Sequence, residues 1–189
     1  MFVPGSISMP VLMQNRVQRL VQCCWSPCTV VQVFLQRFLR AAQVATASEY
    51  RYLEHLSRYV LELSLLDHSL LAYRTSTVAA AALFLSRVLL AKAHAKSGNM
   101  RSHIIWTRTM EHYTFHAAAD LRPCVRQLHR LLMDASNARS RMTAVRTKYR
   151  SQRRMAVASM YFVPTFSDDV FEQYYGIPVP AEMLDHEPQ

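Results

Sequence analysis

With 189 residues, 51% of them hydrophobic, only three glycines and eight prolines, the chain can build one sizeable core but has too few turn residues for a many-stranded β sandwich. All 22 Lys and Arg lie at or before Arg154 together with seven of the 13 acids, so residues 1–160 carry a formal +15. Residues 161–189 hold the other six acids (Asp168, Asp169, Glu172, Glu182, Asp185, Glu187) and no Lys or Arg, which makes this tail −6, able to screen part of a body suited to acidic partners.

The opening MFVPGSISMPVLMQNR has neither a basic start nor a continuous apolar run, unlike a signal peptide. Leu12, Val17, Leu20, Val21 and Cys24 give residues 11–24 a modest apolar face, predicting a helix that ends near Trp25 and Pro27. Cys23, Cys24 and Cys28 crowd around Trp25 while Cys124 is distant, a pattern of small buried thiols rather than a disulfide framework or paired zinc ligands. From Thr29, Val31, Phe34, Leu35, Phe38 and Ala42 recur at three- and four-residue intervals, with Arg37 and Arg40 on the solvated side. Thr46 and Glu49 have capping-box spacing at the start of a third helix, whose predicted buried stripe is Leu53, Leu56, Val60, Leu63 and Leu66, with Asp67 as a cap or turn residue at its end.

Ser76 is the expected N-cap of the central segment Val78–Ala91, apolar almost all round and interrupted only by Ser86 and Arg87. A helix without a polar face must be enclosed by other helices. Lys96-Ser97-Gly98-Asn99 favours a turn, so the helix is predicted to stop near Lys92, short of a bilayer span, before a loop to Ile105. Trp106–Tyr113 follows as a short helix. Asp120 then caps another, with Pro123 in its first turn and Leu121, Val125, Leu128 and Leu132 on its core face. A last helix over Ala138–Arg154 has the narrow stripe Met142, Val145 and Tyr149. The fold class is all-α, five to six helices around a central apolar one.

Several strings in this series have a familiar order. Val31, Val33-Phe34-Leu35 and Phe38-Leu39-Arg40 come first, then Tyr59-Val60-Leu61-Glu62-Leu63-Ser64-Leu65-Leu66-Asp67 and the alanine-rich Thr77–Phe84. Trp106-Thr107 to His112-Tyr113, Leu121-Arg122-Pro123-Cys124-Val125 with Leu128-His129, and Lys148-Tyr149 complete it. In this order they resemble the C-terminal fold of A- and B-type mitotic cyclins over roughly 130 residues, far more specific than one short motif. The resemblance implies a C-terminal cyclin-like fold over 29–160, a remnant last helix of a first cyclin fold within 1–28, and an acidic aromatic tail over 161–189.

It further implies a non-catalytic regulatory subunit of a cyclin-dependent serine/threonine protein kinase, acting in cell-cycle control in nucleus and cytoplasm by shifting the kinase population toward its active state. The M-R-A-I-L substrate-docking patch, the kinase-contacting Lys and Glu and a destruction box have no counterpart, and the first cyclin fold holds most kinase contacts. Binding by these residues alone is therefore expected to be weak or absent. Thr75 stands where the family often has Pro, and the loop from Lys92 to Ile105 is longer than usual.

No positioned nucleophile with a base, carboxylate pair or glycine-rich phosphate loop is apparent, so no catalytic residue, cofactor, small-molecule substrate or membrane partner is expected. His112 and His116, four apart with Glu111 adjacent, could share a helical face as metal ligands, but no third ligand is placed, and a partly exposed pair is the preferred reading. The basic segment is the main candidate partner surface: Arg139, Arg146, Arg150 and Arg153 fall on one helical face, with Arg141, Lys148 and Arg154 alongside and no acid between Ala138 and Arg154. It could grip phosphates without reading sequence, which supports the alternative of a diverged cyclin-fold scaffold or nucleic-acid-binding module. A solvated face partly paired with the acidic tail is preferred. Among the tail aromatics Phe162, Phe166, Phe171, Tyr174 and Tyr175, partial docking on the chain's own body is expected, with disorder beyond Pro180.

Overall fold

The computed structural model describes residues 27–42, 44, 46–96, 105–137, 143–160 and 171, which contain six α-helices and three 3-10 turns and no strand. The helix expected over residues 11–24 lies outside the described residues. Helix α1 is Pro27–Ala41, so the chain is already helical two residues before Thr29. Val31, Leu35, Phe38 and Ala42 are buried and Arg37 and Arg40 exposed, as the spacing predicts.

Helix α2, Ala47–Ser64, starts at Thr46, whose Oγ1 accepts a hydrogen bond from the Glu49 N–H at 3.3 Å. Leu53, Leu56, Val60 and Leu63 form its buried stripe. Leu66, expected in that stripe, is 56% exposed, because the helix ends at Ser64 and the next turn carries Leu66 away from the core. Asp67 caps the following 3-10 turn, His68–Ala72, accepting from the Ser69 N–H at 2.9 Å and Ser69 Oγ at 2.6 Å. These bonds hold its carboxyl below the ordinary aspartate range.

Helix α3, Thr75–Lys96, is the axis of the bundle, with α1, α2 and α5 (Ala118–Ser136) packed around it. Every residue from Ala79 to Leu85 is fully buried. Its two polar interruptions are accommodated locally. Ser86 Oγ donates to the Ala82 carbonyl at 2.8 Å, and Arg87 Nη1 donates to the Ala42 carbonyl at 3.2 Å, satisfying an acceptor at the end of α1. Two expectations are corrected at its ends. Ser76 lies inside the first turn rather than at the N-cap, and the helix runs through Lys92 to Lys96, since nothing in Lys92–Lys96 breaks it before Ser97-Gly98. At this length the stretch Thr75–His94 is long and apolar enough to cross a membrane, contrary to the expectation of no such segment, and 61% of its most apolar window is buried inside the bundle.

Helix α4, Arg108–Thr114, is capped by Thr107 Oγ1, which accepts from the Met110 N–H at 3.2 Å, and ends at Phe115, a non-glycine residue in the left-handed region at φ 58°. Trp106 Nε1 donates to the His116 carbonyl at 3.1 Å, tying the two ends of this short helix together. Helix α5 starts earlier than expected. Ala117 occupies the N-cap without a side-chain bond, Asp120 sits in the first turn, where a negative charge suits the helix dipole, and Pro123 falls in the second turn. Pro123 and Ala119, the residue whose carbonyl Pro123 cannot bond, are both exposed, so water can satisfy the loss.

The last helix is the largest correction. The expected start at Ala138 lies outside the described residues, but the helix does not run on to Arg154: α6, Thr143–Tyr149, ends at Tyr149 and is followed by 3-10 turns Gln152–Arg154 and Val157–Ser159. Met155 and Ala156 adopt left-handed conformations, φ 54° and 49°, each costing roughly 1–2 kcal/mol for an L-residue with a Cβ. The reversal returns Val157 and Ala158 to the core, where the second of these turns packs against α2 and α6, burial that a straight helix would forgo.

Candidate functional site

The residues expected to form a basic face divide into two groups. Arg139 and Arg141 lie outside the described residues. Arg146 and Lys148 are on α6, Arg150 immediately follows it, and Arg153 and Arg154 are on or at the end of the next 3-10 turn, so these cations do not share one helical face.

Three of them are engaged with the body. Lys148 Nζ meets both carboxylate oxygens of Glu62 at 2.7 Å, and the phenol of Tyr149 donates to Glu62 Oε1 at 2.7 Å. Tyr149 is fully buried, its ring 5.2 Å from that of Tyr59, and the Arg154 guanidinium covers it at 4.8 Å from the ring centroid. Burial above all, with the bond to Glu62 and the Glu62 charge, pushes the Tyr149 phenol well above its ordinary value. Arg146 Nη1 donates to the Asn137 carbonyl at 3.4 Å, stapling α6 to the end of α5. Arg150 and Arg153 are exposed and project from this seam.

The organising acid, Glu62, and its neighbours on α2 were missed by a reading that took Glu62 only as part of a family string. Arg51, His55, Arg58 and Glu62 stand four, three and four residues apart, the period of one helical face, which is the signal that could have found them. Arg58 Nη2 bonds Glu54 Oε1 at 2.8 Å. Burial pushes the His55 imidazole below its usual value; Arg58, Arg154 and Arg51 act the same way, against the pull of Glu54. This places Arg154 beside the α2 cations. A small groove between α1 and α2 is lined by Val31, Gln32, Arg58, Leu61, Glu62 and Leu65. The arrangement can present positive charge beside an apolar groove. It does not assemble a nucleophile with a base.

His112 and His116 do not share a helical face, because α4 ends at Thr114 and Phe115 reverses the backbone between them. His112 contacts the rings of Tyr113 and Phe115, whereas His116 Nε2 lies 3.5 Å from Thr77 Oγ1. Among the described residues no three His, Cys, Asp or Glu side chains come together as a metal site. Cys124 is fully buried and its thiol is pushed up to about 12 by desolvation, so it stays protonated at neutral pH. Of the tail aromatics only Phe171 is described. It is 2% exposed and stacks on Phe84, in keeping with the expected docking on the body.

Comparison with known proteins agrees with this architecture. The family "Cyclin, C-terminal domain" matches residues 29–162. Cyclin-A1-3 and Cyclin-A1-4 of Oryza sativa subsp. japonica are each 37% identical to this chain, over 138 and 139 residues, covering 73% and 74% of it. Cyclin-A1-1 of Arabidopsis thaliana is 36% identical over 132 residues, 70% of the chain. The chain spans about a quarter to a third of the length of these relatives: 26%, 36% and 26%. The matched segment runs from the third residue of α1 through the final 3-10 turn, and the chain belongs to the cyclin family, with residues 29–162 as its cyclin C-terminal domain.

Proposed function

We propose that this chain serves as a cyclin-type regulatory subunit rather than a catalyst, with a cyclin-dependent serine/threonine protein kinase as partner and cell-cycle control, in nucleus and cytoplasm, as its setting. The observation that carries the reading is the cyclin C-terminal domain over residues 29–162, built on an α3 whose central residues Ala79–Leu85 are fully buried. A bundle of this kind is a rigid body suited to packing against another protein and changing which of its conformations is populated. Standard interfaces bury roughly 1,200–2,000 Å², and this domain by itself offers only part of what an intact cyclin presents, so it acts as the second half of a larger contact.

The test is a chimera in which residues 29–160 replace the corresponding domain of rice Cyclin-A1-3, assayed for activation of a purified cyclin-dependent kinase. Activation within about tenfold of the parent cyclin, a difference of about 1.4 kcal/mol, is expected. A folded chimera that binds and activates no kinase overturns the reading.

The nucleic-acid alternative is carried by Arg150 and Arg153, exposed beside a body of strong positive charge. With Lys148, Arg146 and Arg154 engaged by Glu62, Asn137 and Tyr149, the electrostatic surface is a small one. Any such binding is sequence-independent and falls with salt.

A further inference from the structure

Phe171 lies 87 positions beyond Phe84 in sequence, yet the two rings stack face to face, 5.1 Å between centroids and 2° between planes. Trp106 packs against the same Phe84 ring at 5.6 Å and 59°. The Arg122 guanidinium stands 5.2 Å from the Phe171 ring centroid, in reach of a cation–π contact. Phe171 is therefore met by α3 through Phe84 and by α5 through Arg122, while Trp106, just before α4, backs the Phe84 ring. Phe171 is 2% exposed, so the slot takes the whole ring.

The segment that delivers this ring is chemically unlike the rest of the chain. Asp168, Asp169 and Glu172 stand within three residues of Phe171, in a stretch with six acids and no Lys or Arg, while residues 1–160 carry +15. The family domain ends at residue 162, and the described body already returns Val157 and Ala158 to its core before the tail begins. The tail thus follows a bundle that other residues already help to close; Phe171 is its one described residue and lies against the body, and the opposite charges of tail and body favour the contact. An aromatic ring flanked in sequence by acids, buried against another ring with a cation beside it, is the chemistry of a peptide ligand's anchor.

We propose that Phe84, Trp106 and Arg122 form a peptide-docking slot whose resident ligand is the chain's own acidic tail segment centred on Phe171. Covalent tethering gives that segment an effective concentration in the millimolar range, so the same sequence offered as a free peptide competes poorly while the tail is in place. Releasing the tail vacates the slot and uncovers its basic wall. This proposal is independent of the kinase reading, since it concerns a contact within the chain and is read out without any kinase.

The test uses a fluorescein-labelled peptide of residues 165–175 and full-length chain, read by fluorescence anisotropy. The Phe171→Ala chain, checked for folding by circular dichroism, is expected to bind the peptide at least tenfold more tightly than the unaltered chain does. A peptide carrying Phe171→Ala is expected not to bind. One carrying Asp168→Asn and Asp169→Asn should bind several-fold more weakly at 0.1 M salt but nearly equally at 1 M, where the Debye length falls from about 10 to about 3 Å. A folded Phe171→Ala chain that ignores the peptide, or equal binding by both chains, overturns the proposal.

A second arm serves if Phe171→Ala does not fold: a protease site replaces residues 163–167 and the cut chain is gel-filtered. The tail fragment should co-elute with the body and leave it when excess peptide is added. A fragment that separates on its own, or that excess peptide cannot displace, counts against a slot and assigns Phe171 to the core alone.

Discussion

The central helix α3 and the C-terminal segment 143–160 bury side chains in opposite ways. In α3, burial follows from composition: Ala79 to Leu85 have no polar face, and three helices close around them. In the C-terminal segment the chain is mostly polar, and burial is selective. Tyr149, Val157 and Ala158 enter the core, while Arg150 and Arg153 stay outside. A helix apolar on every side can only be satisfied by surrounding it, so its environment is written into its own residues. A sparse apolar pattern is satisfied by whichever path brings its few anchors back to the core, and here that path needs two left-handed residues and an acid from α2.

The first way to break the comparison is at the centre. Phe84→Ala removes a fully buried ring that contacts Trp106 and Phe171, and should destabilise the fold by about 3–5 kcal/mol. Chemical denaturation of both proteins measures this. A loss below about 1 kcal/mol, far under the range for large-to-small core changes, would contradict the enclosure of α3.

The contrast also explains what was legible in the sequence. The apolar run Val78–Ala91, the heptad-like spacing of α1, and the Thr46 and Asp67 caps all depend on neighbours a few residues away, and the structure places them as expected. The last helix depends on distant ones. Lys148 and Tyr149 find Glu62 from 86 and 87 residues away, and Met155 and Ala156 take positive φ with side chains that ordinarily avoid it. Periodicity therefore extends a helix through Arg154, because no glycine or proline announces the reversal. The candidate surface suffered accordingly. Its cations were found by composition, but which of them are held down by Glu62, Asn137 and Tyr149 is decided by tertiary contact alone.

A smaller effect is expected where the segment is fastened. Glu62→Ala leaves the buried Tyr149 hydroxyl without its acceptor, a loss of about 1–3 kcal/mol. Glu62→Gln keeps an acceptor and should cost less. The half-exposed Lys148 pair adds only about 0.2–1 kcal/mol. The same contact predicts a pH dependence. Because the Tyr149 phenol is raised in the folded chain, the folded state binds more protons than the unfolded state once pH exceeds the free phenol value of about 10. This contribution is complete below that pH and is lost as pH rises toward the folded value. Denaturation midpoints from pH 8 to 11 should fall less steeply for Tyr149→Phe than for the unaltered chain. Parallel slopes would remove Tyr149 from the account.

The smallest effect on stability should come from the two cations that the seam leaves outside. Replacing Arg150 and Arg153 together by Glu touches no described contact, so stability should change by no more than about 0.5 kcal/mol per site. Arg146 is left out of this pair because its guanidinium bonds the Asn137 carbonyl, and reversing it would mix a structural loss with an electrostatic one. If Arg150 and Arg153 contact phosphates, the plot of log affinity for duplex DNA against log salt should become shallower by about 0.9 for each contact removed. Equal loss on unrelated DNA sequences is expected, since two guanidiniums accompanied by few amide or aromatic groups that could read base edges supply mainly charge. Retained, sequence-selective binding by the double variant would show that nucleic acid is read elsewhere on the bundle, and the contrast between an enclosed core and a charged seam would no longer describe how this chain meets a partner.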